Sequence, residues 1–506
     1  MSWDQQKSLD RIQSRWEARD TEISVTKLTR LMNLENVTLR EGRLIQGSHA
    51  YASVAGTGGL HLLDSDEHAR SAIQRVAIWQ TEVSQIAKAF DIPIIAFQGG
   101  RVHLLIYRPI DDEAAIARKA LLLCKAITTM TASAFNPLFD DAERLSAKAA
   151  ADLGQTVATR GGVRGDSELL FLGNAANRPA KLLGTAQLTV TARLEDAIDD
   201  DVEYETEETS EDALSVRISR APLEAALERD GIPWTLTESR SRLADELEKW
   251  PRERFKVSGA TTAIDPNALS RSDSKLVTAA VILSDIDGFS AYVEKAEDDE
   301  LRREAILTLD AIRQELRDVL KTDHNGVRVQ YQGDNMIGFV HLPNGERERI
   351  TESATDIAAA MQSSMGVTLP QVVPHAGELH VSVGVATRRT VVACLGQYAK
   401  RNGLVLGPGA TEAERIQMLL PGKQTGIDKA THDALGEDVK DLYVWSPTAK
   451  CWVAEDLVAA KLARVRESLG ADAKRTLTPD AAGRLAIGGA VSESTRHVRS
   501  LRPYAH

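Results

Sequence analysis

Apolar positions along the chain switch between the period of a strand and the period of a helix, and the same succession occurs twice. From about residue 47 an extended apolar run is followed by a segment in which Ile73, Val76, Val83, Ile86 and Phe90 recur at helical spacing, with Asp64, Ser65 and Asp66 as N-cap candidates. A pair of strand-like runs around a glycine turn covers residues 92–107. A second helix lies near 120–130, and a glycine-rich tail covers 160–183. The second stretch repeats this order with a strand run at 276–293, a helix placing Leu301, Ala305, Ile312, Leu316 and Leu320 on one face, paired strands at 327–340, a helix at 351–362 and a glycine-containing tail at 381–416. The pattern predicts an internal duplication of an α+β unit.

Around these two units the reading assigns a helical lead-in (1–46), a first domain (47–192), an acidic linker with a helical spacer (193–270), a second domain (271–446) and a C-terminal helix with a flexible tail (447–506). The run from Glu195 to Asp212 carries so much like charge that it is expected to stay solvated. The last ~35 residues, poor in apolar side chains, are expected to be disordered.

Composition narrows the function. A formal net charge of -12 in 506 residues argues against general nucleic-acid binding, which rests on clustered Lys and Arg. The three cysteines, Cys124, Cys394 and Cys451, are far apart, so they frame neither a disulfide scaffold nor a CxxC metal site, and a reducing cytoplasm is expected. No run approaches the roughly 20 apolar residues of a membrane span, and the polar N-terminus is unlike a signal peptide. No HExxH spacing or GxxxxGK[ST] loop occurs, which disfavours zinc hydrolases and P-loop enzymes.

The chemistry-bearing residues lie in the second unit. Asp285 ends an apolar strand and Asp334 sits in a turn between two others, so the two carboxylates are expected to meet at one end of a sheet. Either alone reads as an ordinary capping or turn carboxylate. Together they suit hard divalent cations, since Mg²⁺ takes oxygen ligands and commonly uses one or two carboxylates plus substrate phosphates. The run Ile286, Asp287, Gly288, Phe289 and Ser290 then turns into a helix, where backbone N–H groups are expected to cradle phosphates. Arg388, Arg389, Lys400 and Arg401 are further phosphate-binding candidates, with Arg389 the first to test. Trp79, Trp234 and Trp250 read as core or interface residues.

These runs resemble class III nucleotidyl cyclases. Asp285-Ile286-Asp287-Gly288-Phe289 resembles their D-I-x-G-F motif and Gln332-Gly333-Asp334 their second metal motif, I-G-D. Val383 to Thr387 resembles the V-G-I-x-T-G strand, and Gly407 to Arg415 the G-D-x-V-N-x-A-x-R element. The resemblance covers about 170 residues of the second unit and, more weakly, about 140 of the first. It implies βαββαβ ferredoxin-like domains paired head-to-tail, two Mg²⁺ or Mn²⁺ ions held by Asp285, Asp334 and the Ile286 backbone, and release of pyrophosphate from a nucleoside triphosphate as a 3′,5′-cyclic nucleotide forms.

In the first unit Gly56 and Gly100 are matched to the two aspartates, while Asn177 falls on the family's ribose-positioning asparagine and Lys181 on its transition-state arginine. The second unit has Thr411 and Arg415 at those two positions. The resemblance therefore implies one working site, built from Asp285, Asp334, Asn177 and Lys181, in an intrachain pair of domains, with a homodimer of second units as the rival arrangement. The positions that read a purine hold Ala96 and Leu170 in the first unit and Gln330 and Leu404 in the second, with Glu168 a nearby polar candidate. Neither purine code is present, so the chain looks like bacterial uridylate and cytidylate cyclases of anti-phage signalling, with UTP favoured and a downstream effector expected to read the product. The rivals are an adenylyl cyclase and a catalytically silent nucleotide sensor.

Overall fold

A computed structural model describes residues 3–19, 23–163, 166–199, 202–210, 212–396 and 402–475. The expected disordered tail and the candidates Lys400 and Arg401 lie outside the described residues. Among the described residues, no helix is long and apolar enough to cross a membrane.

The duplication is confirmed strand by strand. In the first module, strands β1 (Ser24–Lys27), β2 (Glu41–Ser53), β3 (Ile94–Gln98), β4 (Arg101–Ile106), β5 (Lys148–Val163), β6 (Asp166–Leu172), β7 (Leu188–Thr191), β8 (Glu205–Ser210) and β9 (Ala213–Arg217) form one sheet. Its path is β3-β4-β2-β5-β7-β9-β8, with β1 pairing β2 and β6 pairing β5. The second module repeats the order with β10 (Lys256–Ser258), β11 (Asp273–Asp287), β12 (Val327–Gln332), β13 (Asn335–Val340), β14 (His380–Leu395), β15 (Asn402–Leu406), β16 (Gln424–Ile427), β17 (Val444–Ser446) and β18 (Cys451–Glu455). Antiparallel β2–β5 and β11–β14 form the centre of each sheet, and helices cover it to give two mixed α+β layers.

The helices of the first module are α1 (Gln5–Arg19), α2 (Asp66–Ala89), α3 (Glu113–Met130), α4 (Asn174–Leu182) and α5 (Ala192–Asp196). Next come α6 (Arg220–Arg229), α7 (Leu236–Lys249), α8 (Phe289–Glu294), α9 (Asp299–Asp318), α10 (Arg347–Ser363), α11 (Pro408–Leu419), α12 (Lys429–Asp433), α13 (Glu437–Lys440) and α14 (Ala459–Arg475). Of the three N-cap candidates before α2, Ser65 takes the role, accepting from the His68 amide.

The acidic segment departs from expectation. Instead of a solvated linker it forms α5 and the hairpin β8–β9 that closes the first sheet, with Val202 buried. All of β8 is exposed. A charged edge strand is compatible with pairing on one side and discourages a second chain from adding on the other, so the charge that argued against structure suits an edge.

The lead-in and the spacer are also one element repeated, and each arm crosses to the other module. Helix α1 packs on α9 rather than on its own sheet, with Ile12 fully buried. Ser8 donates to Glu315 Oε1 at 2.8 Å, while Arg11 grips the same carboxylate through Nε (3.0 Å) and Nη2 (2.7 Å) and reaches Asp323 Oδ1 at 2.9 Å. Helix α7 makes the same contacts on α2: Ser239 donates to Glu82 Oε1 at 2.6 Å, Arg242 grips Glu82 at 3.1 and 2.7 Å, and Leu243 is buried. The spacings Trp3, Ser8, Arg11, Ile12 and Trp234, Ser239, Arg242, Leu243 are identical. The indoles of Trp79, Trp234 and Trp250 sit in this architecture as expected: Trp79 is fully buried and bonded to Thr131, Trp234 is bonded to Ser239, and Trp250 lies under Arg271.

The cores interlock as well. Val157, Leu170 and Leu172 of β5 and β6 join the second module's apolar cluster with Ile306 and Leu309. Their counterparts Val391, Leu404 and Leu406 join the cluster of the first module. Across this seam Asp310 accepts from the Gly162 amide at 3.0 Å, and Arg328 pairs with Glu168 at 2.7 Å.

Candidate active site

Ladder register decides which side chains meet. Ser284 pairs with Met336 between β11 and β13, so Asp285 stands opposite Asn335, one residue from Asp334 in the β12–β13 turn. The two carboxylates therefore occupy the same end of the sheet. The turn is tight because Gly333 holds φ +67°, a conformation that costs glycine little. Asp285 is buried and no cluster of three or more His, Cys, Asp and Glu that could hold a metal occurs among the described residues. Two carboxylates, hard oxygen donors, fit the donor set of Mg²⁺ or Mn²⁺ and fit poorly to Zn²⁺, which favours Cys and His.

After Asp285 the strand continues to Asp287, Gly288 turns at φ +88°, and Phe289 anchors α8 in the core. Asp287 plays a structural part, since its Oδ2 accepts from the Gly422 amide at 3.0 Å and ties the loop before β16. Ser290 opens toward the other module, where Asn177 of α4 donates from Nδ2 to its Oγ at 3.3 Å. Asn177 Oδ1 also stands 3.5 Å from the point where a Cβ on Gly333 would lie. The structure thus brings Asn177 of the first module to the turn carrying Asp334 and to the helix following Asp285. Lys181, one turn further on α4 and exposed, shares that face.

Arg389 is not brought to this cluster. Its guanidinium meets the Asp64 carbonyl at 3.1 Å and the Asp66 carboxylate at 3.6 Å, at the mouth of the second junction. Arg388 pairs with the buried Asp428 at 3.0 Å, a fold contact. Glu168 is occupied by Arg328 and by the Tyr331 amide at 3.2 Å, and Leu170 is buried in the shared core, so neither is an open reader of a base. Sequence reasoning missed Arg313, a buried cation that the apolar face assigned to α9 does not include.

The second junction is assembled from the complementary set and is nearly filled. It encloses about 70 Å³, lined among others by Gly56, Gly100, Leu406 and Thr411. That is smaller than the ~300–1,000 Å³ that ligand pockets usually enclose. Arg101 and Glu414 close it with a 2.8 Å ion pair. Arg415 turns into its own module, held by Glu412 at 2.9 and 2.8 Å and by the Ala449 carbonyl at 2.8 Å. One matching of residues is corrected. Ala52 pairs with Val102 as Ser284 pairs with Met336, which sets Ser53, not Gly56, at the position of Asp285. Gly56 corresponds to Gly288 and shares its left-handed backbone, φ +74°. Gly100 remains the counterpart of Asp334.

On the sheet of the first module a buried pair, His49 and His103, is joined by a 2.9 Å Nδ1···Nε2 contact, and His49 Nε2 meets Thr156 Oγ1 at 3.1 Å. Burial pushes the His49 imidazole down to about 3 and His103 well below its ordinary range. Between pH 6.5 and about 3 the unfolded chain binds protons that these folded imidazoles refuse, so stability is present above pH 6.5 and lost as pH falls below it. His49→Val, the residue found at the matching position Val281, is expected to flatten the acid limb of a urea-midpoint against pH series. An unchanged slope would count against this account.

Comparisons with known proteins agree with this architecture. No family model matches the chain. It is 25% identical over 449 residues to a uridylate cyclase of Pseudomonas aeruginosa, spanning 83% of this chain and 84% of that one. It is 24% identical over 413 residues to a uridylate cyclase of a Rhizobium species, spanning 72% and 77%. Among solved structures, a class III adenylyl cyclase-like ATP-binding protein from Pseudomonas aeruginosa superposes with a TM-score of 0.81, covering 92% of this chain and 99% of that one at 22% identity. The last likeness shows a shared fold over both modules.

Proposed function

We propose that this chain, which resembles class III nucleotidyl cyclases through both modules, converts UTP to 3′,5′-cyclic UMP and pyrophosphate at one site between them. The observation that supports this most is Asn177 of the first module standing between Ser290 and the turn that carries Asp334 of the second. Asp285, Asp334 and the backbone carbonyl of Ile286 would hold two Mg²⁺ or Mn²⁺ ions. Bound there, such ions supply a more acidic 3′-hydroxyl and charge neutralisation on the phosphates.

The remaining roles belong to the chain. Asn177 orients the ribose so that the hydroxyl faces the α-phosphorus in line, and Lys181 offers a cation to the charge that builds on the transferring phosphoryl group. Backbone N–H groups of residues 286–290 accompany the phosphates. The seam between the modules excludes water from the reacting atoms. A pyrimidine is favoured because neither purine code is present at the base-reading positions, Ala96 and the core residue Leu170, and because the two curated relatives are uridylate cyclases. The product would serve a cyclic-nucleotide effector in anti-phage signalling. The solved neighbour is described as ATP-binding, so ATP is the second substrate to test.

Asn177→Ala is expected to lower turnover about 10²- to 10³-fold, the usual effect of removing one preorganised donor, while Thr411→Ala leaves it within about twofold. Steady-state pyrophosphate release by the two variants decides this. The reverse ranking would mean that the working site forms between second modules of two chains.

A further inference from the structure

We infer that Arg313 is a positioning residue that clamps the turn bearing Asp334, an inference that rests on the metal site proposed above. Its Nη2 donates to the backbone carbonyl of Gly333, the residue immediately before Asp334. Arg313 as a whole is 2% exposed, and its guanidinium lies 4.2 Å from the centroid of the Tyr331 ring, whose hydroxyl donates back to the Arg313 carbonyl at 2.8 Å. Helix, strand and turn are thereby locked together.

The duplication provides the control. Glu82 and Glu315 are matched by the arm contacts they receive, and two residues before each stand Gln80 and Arg313. Gln80 Nε2 donates to the Gly99 carbonyl at 2.8 Å, the same bond to the same turn in the module that lacks the aspartate. A neutral amide is therefore sufficient to hold the turn in the left-handed conformation that Gly99 (φ +63°) and Gly333 (φ +67°) share.

The module with Asp334 instead buries a cation whose Nε and Nη1 have no hydrogen-bond partner. Burying a guanidinium so incompletely matched is costly. Burial outweighs the rest and holds the guanidinium below its ordinary range, and the cost is offset only in part by Glu168 of the first module, Asp334 and Asp310 of the second, and the face of Tyr331. The clamp thus also gives the carboxylates that meet at this seam a fixed countercharge.

The experiment measures Mn²⁺ binding by electron paramagnetic resonance in the presence of 3′-deoxy-UTP, which lacks the attacking hydroxyl, beside the Mn²⁺ concentration for half-maximal turnover. Arg313→Met removes the clamp and is expected to weaken Mn²⁺ at least tenfold by both readouts, with KM for the nucleotide at saturating Mn²⁺ changed by less than threefold. Arg313→Gln, copying Gln80, is expected to restore Mn²⁺ binding to within about threefold of the parent chain. Mn²⁺ binding unchanged in a folded Arg313→Met, or an Arg313→Gln as defective as Arg313→Met, would overturn the inference. If Arg313→Met does not fold, Arg313→Gln decides alone, and a tenfold loss there counts against the clamp. Asp334→Asn separates this from the parent proposal: if it binds Mn²⁺ normally, the metal site itself is misplaced, whereas a loss there with none in Arg313→Met removes only the role given to Arg313.

Discussion

Replacing Asp285 by alanine is expected to reduce pyrophosphate release on the order of a thousandfold or more while leaving the protein folded. A metal-binding carboxylate underlies several kcal/mol of transition-state stabilisation, and each ~1.4 kcal/mol is a factor of ten in rate. Asp285 lies near Asp334, and removing one carboxylate relieves the like-charge repulsion between them. Asp287 supplies the contrast two residues away. Its carboxylate holds the Gly422 amide, so Asp287→Ala is expected to cost ~1–3 kcal/mol of stability and to affect turnover far less than Asp285→Ala. Parallel thermal melts and pyrophosphate assays on the two variants check the contrast. Equal kinetic defects would mean that the loop as a whole, rather than the carboxylate of Asp285, matters.

Arg11→Ala is expected to produce the largest loss of stability of any single change outside the cores. Arg11 satisfies both Glu315 and Asp323, whose side chains are only 2% and 8% exposed, and α1 has little apolar surface to hold it otherwise. Deleting one partner of a buried ion pair typically costs ~3–5 kcal/mol, because the remaining charge is left uncompensated. Arg15, whose Nη1 lies 4.0 Å from Glu315 Oε2, compensates only in part. For modules of this size the loss corresponds to a fall of roughly 6–20 °C in midpoint. The affected module is the second, although the substitution is in the arm preceding the first. Arg242→Ala, which strips Glu82, is expected to weaken the first module in the same way. Calorimetry with proteolytic mapping of the first segment to open reads this directly. A midpoint change confined to the module adjacent in sequence would contradict the crossed arms.

The sequence made the placement of Asp285 and Asp334 easier to see than the architecture around it. Asp285 and Asp334 were legible because a strand end and a hairpin turn are short-range features, and two such features at one sheet end require only that the strands be neighbours. The three-residue shift that put Gly56 where Ser53 belongs arose because the first module has no ligand to anchor the comparison. The usable signal was conformational, since Gly56 and Gly288 both need positive φ and should have been matched to each other. The edge hairpin in the acidic segment was hidden because charge density reports solvation and not whether a backbone pairs. The crossed arms were hidden for a different reason: apolar residues such as Ile12 and Trp16 in α1 and Leu236, Leu243 and Leu247 in α7 mark a buried face, but periodicity does not say on which module that face docks. Their common spacing of Trp, Ser and Arg was nevertheless present in the chain.

The most direct test of a single composite site is pyrophosphate release by the purified chain with Mn²⁺ and each of the four ribonucleoside triphosphates, with Asp285→Ala alongside. Release that is greatest with UTP and lost in the variant is the expected result. Preference for ATP would keep the cyclase and remove the pyrimidine assignment, and release that persists in Asp285→Ala, or silence with all four nucleotides, would contradict the account.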